Sequence, residues 1–416
     1  MKLSPNNKIE PLIVTAVSLL ARASHLLFFF IIGNKYGASV ATDFIIYLIA
    51  PLTVISSVAS GAADAVVMPV FHKVEDNSIA KYLFIFSIKK IFKFIFPLSL
   101  IVILISSFFA QSYDFLIMAI LLPIPLFSAL GSLKTGVLNA SNKFRVAMLG
   151  PFFGSLFAIF LILLAPTNIY YFGLSFLVFE IGKFVGISLF RDITSGSSPL
   201  HNKNGDKIIS WGIKNAKWQL AGSFILSLSF PVDIWFSSTL DSGSATFVEY
   251  ANKLWNIVPL LFVGHITIIY AEFSKASVKG VKLTNIHGIA IKYLFLGIFV
   301  SLFIFPVSDF IIRMLYGFGK MNVQQQTALS DLLKSYLIGA GPYVGGLVYV
   351  RAMSAYGRTD LLFVVASIGL LCNILFDALF IRMVGLNGIG LATSAAYLCT
   401  FFLLAYFCYE NEKNRN

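Results

Sequence analysis

The sequence predicts an all-α polytopic membrane protein: about twelve transmembrane helices in two pseudo-symmetric six-helix lobes around a central cavity. Three observations predict it. The 416 residues are 58% hydrophobic and 12% charged, against about 25% charged in soluble domains. With a mean hydropathy of +0.85, the solvent for most of this chain is lipid. Apolar runs of about 20 residues, enough to cross a bilayer, recur along the whole chain. Lys and Arg fall in alternate connections between them.

The runs are expected at roughly 11–33, 43–71, 83–109, 115–139, 147–165, 169–190, 211–239, 247–273, 286–310, 328–350, 360–381 and 387–408. The first follows a basic start and reaches an Ala-x-Ala ending at Ala23, as a cleaved leader would. The apolar character resumes at once with "SHLLFFFII", so an uncleaved span is expected. The second begins at "ATDF", where Asp43 stands at the mouth of a long apolar run. Asp and Thr are good helix N-caps, so capping competes there with a cavity-facing role. Polar residues dilute the seventh and tenth runs. The most polar stretch, "ITSGSSPLHNKNGDK", divides the chain into an N-lobe (1–192), a loop (193–209) and a C-lobe (210–416).

Even-numbered connections and tails hold most of the basic residues, among them Lys73, Lys81, Lys143, Arg145, Lys203 and Lys275. Odd connections hold only Lys35, Arg313, Lys320 and Arg382. This asymmetry puts both termini in the cytoplasm. It also accounts for the net charge of +12 as a topology signal, leaving no reason to expect nucleic acid as a partner. Cys372, Cys399 and Cys408 lie in apolar runs with no CxxC pair, so neither a disulfide framework nor a metal site is expected. His25 and His265 have no second ligand at useful spacing. The phosphate loop GxxxxGK[ST], HExxH and GxSxG are all absent, and no cofactor or enzymatic activity is expected.

The halves repeat weakly. "GASVATDFIIYLIAP" has its counterpart in "DSGSATFVEYANKLW", and "GVLNASNKFRVAMLGP" in "VRAMSAYGRTDLLFVV", at an offset of roughly 204–215 residues. Repeats in one orientation suggest lobes related by an axis along the membrane normal, with a site near the midplane and alternating access by rocking.

Ionisable residues inside spans are costly and mark function. The candidates are Arg22 and His25, three apart on one helical face, with Asp43, Asp64 and Lys134 in the first half. In the second half they are Asp233, Glu249 with Lys253 four residues later, His265 and Arg351. The Glu249–Lys253 spacing is equally that of a plain intrahelical ion pair. Asp43, Asp64, Asp233 and Glu249 are the candidates for coupling to an ion.

In these same stretches the chain resembles the MurJ/MviN lipid II flippases of the MOP exporter superfamily. "GASVATDFIIYLIAP…GAADAVVMPVFHK" is similar to the family's second-helix signature, "GVLNASNKFRVAMLGP" to its fourth-to-fifth helix turn, "FVEYANKLWNIVPLLFVGHI" to its eighth helix and "RAMSAYGRTD" to the end of its tenth. The resemblance implies a V-shaped pair of lobes with a cationic cavity. It implies a flippase that moves an undecaprenyl-pyrophosphate-linked glycan from the cytoplasmic to the periplasmic leaflet of the bacterial inner membrane. Asp43 and Arg22 match family residues, and Lys253 stands where the family usually has an arginine. The substrate-binding candidates are therefore Arg22, His25, Asp43, Lys134, Lys253 and Arg351. Phe28 and Ser56 replace usual family arginines, and the family usually adds two further helices. A peptidoglycan precursor and an O-antigen or capsule unit both remain open as cargo, with a glycan polymerase or ligase as a partner. The other readings are a small-molecule or drug antiporter of the same superfamily and a non-transporting membrane scaffold.

Overall fold

The computed structural model describes residues 9–62, 93, 95–107, 114–140, 143–189, 203–262, 265–266, 268–270, 272–273 and 285–413. Regular structure among the described residues is helical. In chain order the helices are α1 (Ile9–Tyr36), α2 (Val40–Ala62), α3 (Ile95–Ser107), α4 (Phe115–Leu121), α5 (Ile124–Ala140), α6 (Phe144–Leu164) and α7 (Ile169–Ser188). They continue as α8 (Lys203–Ser237), α9 (Ser244–Trp255), α10 (Ile257–Leu260), α11 (Ile286–Tyr316), α12 (Val323–Leu337), α13 (Ala340–Ala355), α14 (Thr359–Val384) and α15 (Asn387–Lys413).

Among the described residues nine segments are long and apolar enough to cross a membrane, where twelve were expected along the whole chain. The difference has local causes. The expected third span is described only over α3, and Asp64 lies outside the described residues. The expected eighth span breaks at Asn256, between α9 and α10. The expected tenth breaks between α12 and α13. A Cβ on Gly339 would lie 2.7 Å from the Ser394 Cα of α15, so the chain passes too close to α15 for any other residue. Ser394 Oγ donates to the carbonyls of Ser335 (2.8 Å) and Tyr336 (3.3 Å) at the break, where the Tyr336 carbonyl also accepts from Gly339 N–H at 3.1 Å. Pro342 then falls in the first turn of α13, where a missing N–H costs nothing. The polar stretch expected to run to 209 is helical from Lys203 onward.

The chain forms two compact units. The first comprises Met1–Tyr36 and Tyr47–Leu220; the second comprises Gly37–Ile46 and Ala221–Asn416. Helices α2 and α8 are thus each divided between units.

Inside each unit small residues let helix backbones meet, as expected where lipid supplies no hydrophobic drive between helices. In the first unit Gly150 and Gly154 of α6 face Gly182 and Gly186 of α7. A Cβ on Gly182 would lie 3.1 Å from the Gly154 Cα, and one on Gly154 would lie 2.6 Å from the Phe179 carbonyl oxygen. In the second unit Gly341 and Gly345 of α13 pack against Leu294, Ile298 and Ala290 of α11 in the same way. Lys35, at the end of α1, donates to the carbonyls of Ile162 and Ala165 and so caps the C-terminus of α6.

Candidate functional site

The predicted polar residues of the first unit do not gather at one point. Arg22 is exposed midway along α1, with its Nε 3.4 Å from Ser18 Oγ. His25 lies among Phe28, Phe29 and Phe179, the nearest ring centroid 4.7 Å away. Phe28 is buried in that same aromatic cluster, so the position of the family's second arginine is packed core in this chain. Ser56 donates to the Leu52 carbonyl of its own helix at 3.2 Å. Lys134 is buried between α5 and α7, donating to Ser188 Oγ at 2.9 Å with its Nζ 6.0 Å from the Phe184 ring centre.

Asp43 answers a different need from the one expected of it. The N-cap of α2 is Ser39: its Oγ accepts from Thr42 N–H at 3.3 Å, and Thr42 Oγ1 accepts from Ser39 N–H at 2.8 Å. The helix begins three residues earlier than the Asp43 mouth predicted, so Asp43 does not cap it. Instead Asp43 caps α9. Its carboxylate accepts from Gly243 N–H (2.6 Å), Thr246 N–H (2.8 Å) and Thr246 Oγ1 (2.7 Å). A carboxylate at a helix N-terminus satisfies orphan donors and complements the helix dipole. Thr246 Oγ1 also donates to Thr42 Oγ1 at 3.0 Å. These two threonines occupy equivalent places in the internal repeat, so the repeat's own turns meet each other. Both turns need a left-handed residue and use glycine for it, Gly37 at φ +69° and Gly243 at φ +95°. Replacing Asp43 with alanine strands these donors. It is expected to lower the stability of the detergent-solubilised protein by about 2–4 kcal/mol, read as a fall in its unfolding midpoint, and asparagine should recover about half.

Helix α9 carries the predicted pair. Glu249 Oε1 and Lys253 Nζ are 3.1 Å apart, with Glu249 buried and Lys253 31% exposed. Tyr250 of α9 stacks on Tyr316 at 5.5 Å between centroids, both rings fully buried. Arg351 of α13 holds its guanidinium 5.4 Å from the Tyr270 ring centre. His265 is exposed.

A buried polar group in the second unit surrounds Asp233 of α8. Thr393 Oγ1 of α15 lies 3.2 Å from Asp233 Oδ2. Asn373 and Asp377 of α14 and Tyr336 of α12 direct polar atoms at the same carboxylate. All five side chains are at most 7% exposed. Asp233 Oδ1, both Asp377 oxygens, both polar side-chain atoms of Asn373 and the Tyr336 hydroxyl reach no hydrogen-bond partner of normal geometry among the described residues. Two neighbouring carboxylates in a membrane interior cannot both stay charged and bare. The group's oxygens are of the kind that can take up a proton or a small cation. Asp233 was predicted; Asp377 and Asn373 were missed. The signal was present, since "NILFD" puts an amide and an acid four apart on one face of an apolar run.

A profile described as "Lipid II flippase MurJ" matches residues 32–414. The protein described as "Probable lipid II flippase MurJ" from Buchnera aphidicola subsp. Acyrthosiphon pisum (strain APS) is 24% identical over 449 aligned positions, covering 98% of this chain and 84% of that protein. Among solved structures, "Lipid II flippase MurJ, inward closed conformation" superposes with a TM-score of 0.75 at 20% identity, over 96% of this chain and 87% of that one. An inward-facing multidrug resistance MATE family transporter of the MOP superfamily also gives 0.75, at 12% identity over 96% and 98%. At these identities the structural likenesses establish the fold.

Proposed function

This chain belongs to the lipid II flippase MurJ family, and from that premise we propose that it moves an undecaprenyl-pyrophosphate-linked glycan across the bacterial inner membrane by alternating access. The observation that carries the reading is the family match over residues 32–414. Its direction is from the cytoplasmic to the periplasmic leaflet, with both termini in the cytoplasm, as the Lys and Arg asymmetry supports. Arg22, Lys253, Arg351, His25 and Lys134 are the candidate contacts to an anionic head group. The Asp233–Asp377 group couples transport to a proton or monovalent cation, because most of its polar atoms are buried, convergent and without a hydrogen-bond partner of normal geometry among the described residues.

The test is complementation of two depletion strains, one lacking its lipid II flippase and one lacking its O-antigen flippase, scored by lysis and surface glycan. Rescue of the first assigns a peptidoglycan precursor as cargo; rescue of only the second assigns a surface-polysaccharide unit. Failure in both, with the protein present in the membrane, would overturn glycan export and favour the antiporter. In the rescued strain Arg22→Ala and Lys253→Ala are each expected to weaken transport. One charge-assisted contact to phosphate is worth about 1.5–3 kcal/mol, roughly 10–100-fold in affinity. Full activity of both variants at normal membrane levels would sink the pyrophosphate contact.

A further inference from the structure

Helix α9 is covered almost all round. Ten of its twelve residues are buried, and the two that are not are Asn252 and Lys253. Glu249 and Lys253 stand one turn apart on the same face, but they do not share an environment. The acid is 4% exposed, whereas the Lys253 side chain is 31% exposed. Glu249 Oε1 lies 3.1 Å from Lys253 Nζ, and Glu249 Oε2 is buried with no hydrogen-bond partner among the described residues. Tyr250 and Tyr316, both fully buried, lie within electrostatic reach of the acid. Neutral hydroxyls do not balance a carboxylate, and burial keeps water from doing so. The pair is therefore unlike the solvated acid–lysine pair of a helix surface, which contributes little. Its acid is fixed inside and its base stands at the opening.

We propose that Glu249 is a positioning residue that competes with an anionic head group for Lys253, and so sets how readily the head group is released. The proposal rests on reading Lys253 as a head-group contact. The asymmetry of burial carries it. Lysine offers three donors on a flexible stem, so its ammonium can turn toward a ligand without the helix moving. The acid cannot follow. Its own side chain is buried, and α9 is held at its N-terminus by Asp43. As the ammonium turns outward, a buried carboxylate loses its counter-charge, which is costly in a low-dielectric interior. That cost opposes the hold on the head group and draws the ammonium back. Where both anions share the one ammonium, they also repel each other. A cation that only attracted would deepen the bound state and slow departure from it. Glu249 removes part of that attraction at the charged residue that α9 leaves open.

The experiment uses the full chain in nanodiscs, with farnesyl pyrophosphate as the probe and farnesol as its uncharged control. Glu249→Gln is expected to tighten farnesyl pyrophosphate binding by about tenfold, the size of one charge-assisted contact, and to leave farnesol binding unchanged. In the rescued depletion strain the same variant should slow export, because release from the tighter site is slower. Lys253→Gln should weaken pyrophosphate binding, and in that background Glu249→Gln should add no gain, as a double-mutant cycle reads it. Glu249→Met removes the acid and fills the same buried space without a polar atom, so it keeps the test open if glutamine lowers the unfolding midpoint. It should show the same gain. Unchanged or weaker pyrophosphate binding in the folded variants, an equal gain for farnesol, or a gain that survives Lys253→Gln would overturn the competition and leave Lys253 as a contact. Pyrophosphate binding indifferent to Lys253→Gln would overturn the contact itself, and the competition with it.

Discussion

Asparagine in place of Asp377 is expected to abolish export while leaving the protein folded and in the membrane. The substitution keeps the shape of the side chain and removes one of two buried negative charges. Breaking such a buried charge arrangement costs about 3–5 kcal/mol, at least roughly 100-fold in cation affinity. Stability should move the other way. In the cation-free protein the pair is a burden, since its oxygens are buried at 0–4% exposure with few partners. Relieving it should leave the unfolding midpoint unchanged or higher. The measurement is paired: rescue of the depletion strain beside the thermal midpoint of purified protein. Lost rescue with an unchanged or raised midpoint marks a working ion site. Retained rescue would make the group a structural hydrogen-bond cluster and remove the ion coupling.

Gly182→Leu is expected to remove the protein from the membrane. A Cβ at that position already falls 2.7 Å from the Phe157 ring, 3.1 Å from the Gly154 Cα and 3.2 Å from the Phe153 carbonyl. The first clash meets a side chain, but the other two meet the α6 backbone, which cannot turn aside. Overpacking of this kind costs about 1–3 kcal/mol for one misplaced group, and leucine adds three more carbons beyond the Cβ. Immunoblots of membranes should show a several-fold loss or more, since a destabilisation of this size changes abundance several-fold through degradation of the unfolded fraction. Gly346→Ala is the control. Its Cβ would meet only Leu404 Cδ1 at 3.8 Å, an ordinary contact, and the protein should accumulate normally. Equal levels of both variants would refute close α6–α7 packing.

Composition and periodicity made the membrane class legible, because 20-residue apolar runs have no alternative reading at this density. Some helix starts followed, as for α7 and α15, expected at 169 and 387 and found at Ile169 and Asn387, whereas α14 runs on to Val384, past the expected end at 381. The broken tenth span was not legible. Its break is set by a close approach of Gly339 to Ser394, 55 positions away, and a glycine in an apolar run does not announce its neighbour. The site divided in the same way. Asp233 was visible as an acid in a span, whereas its partner Asp377 sits on another helix, and only the packing of α8, α14 and α15 joins them. The role of Asp43 was ambiguous because an acid after Ala-Thr at a turn suits its own helix as well as a distant one. Only the geometry assigns it to α9.

That assignment also has a cost in time. Asp43 is synthesised 200 residues before the Gly243 N–H that it accepts. At about 5–20 residues per second, roughly 10–40 s of translation separate the acid from its partner. Until α9 emerges, the first turns of α2 carry a carboxylate that in the finished protein is only 4% exposed. A group so expensive to desolvate unpaired has to wait at the water boundary. The segment Gly37–Ile46, among the earliest made, is therefore among the last to settle, and the order of synthesis and the order of completion run in opposite directions along this chain.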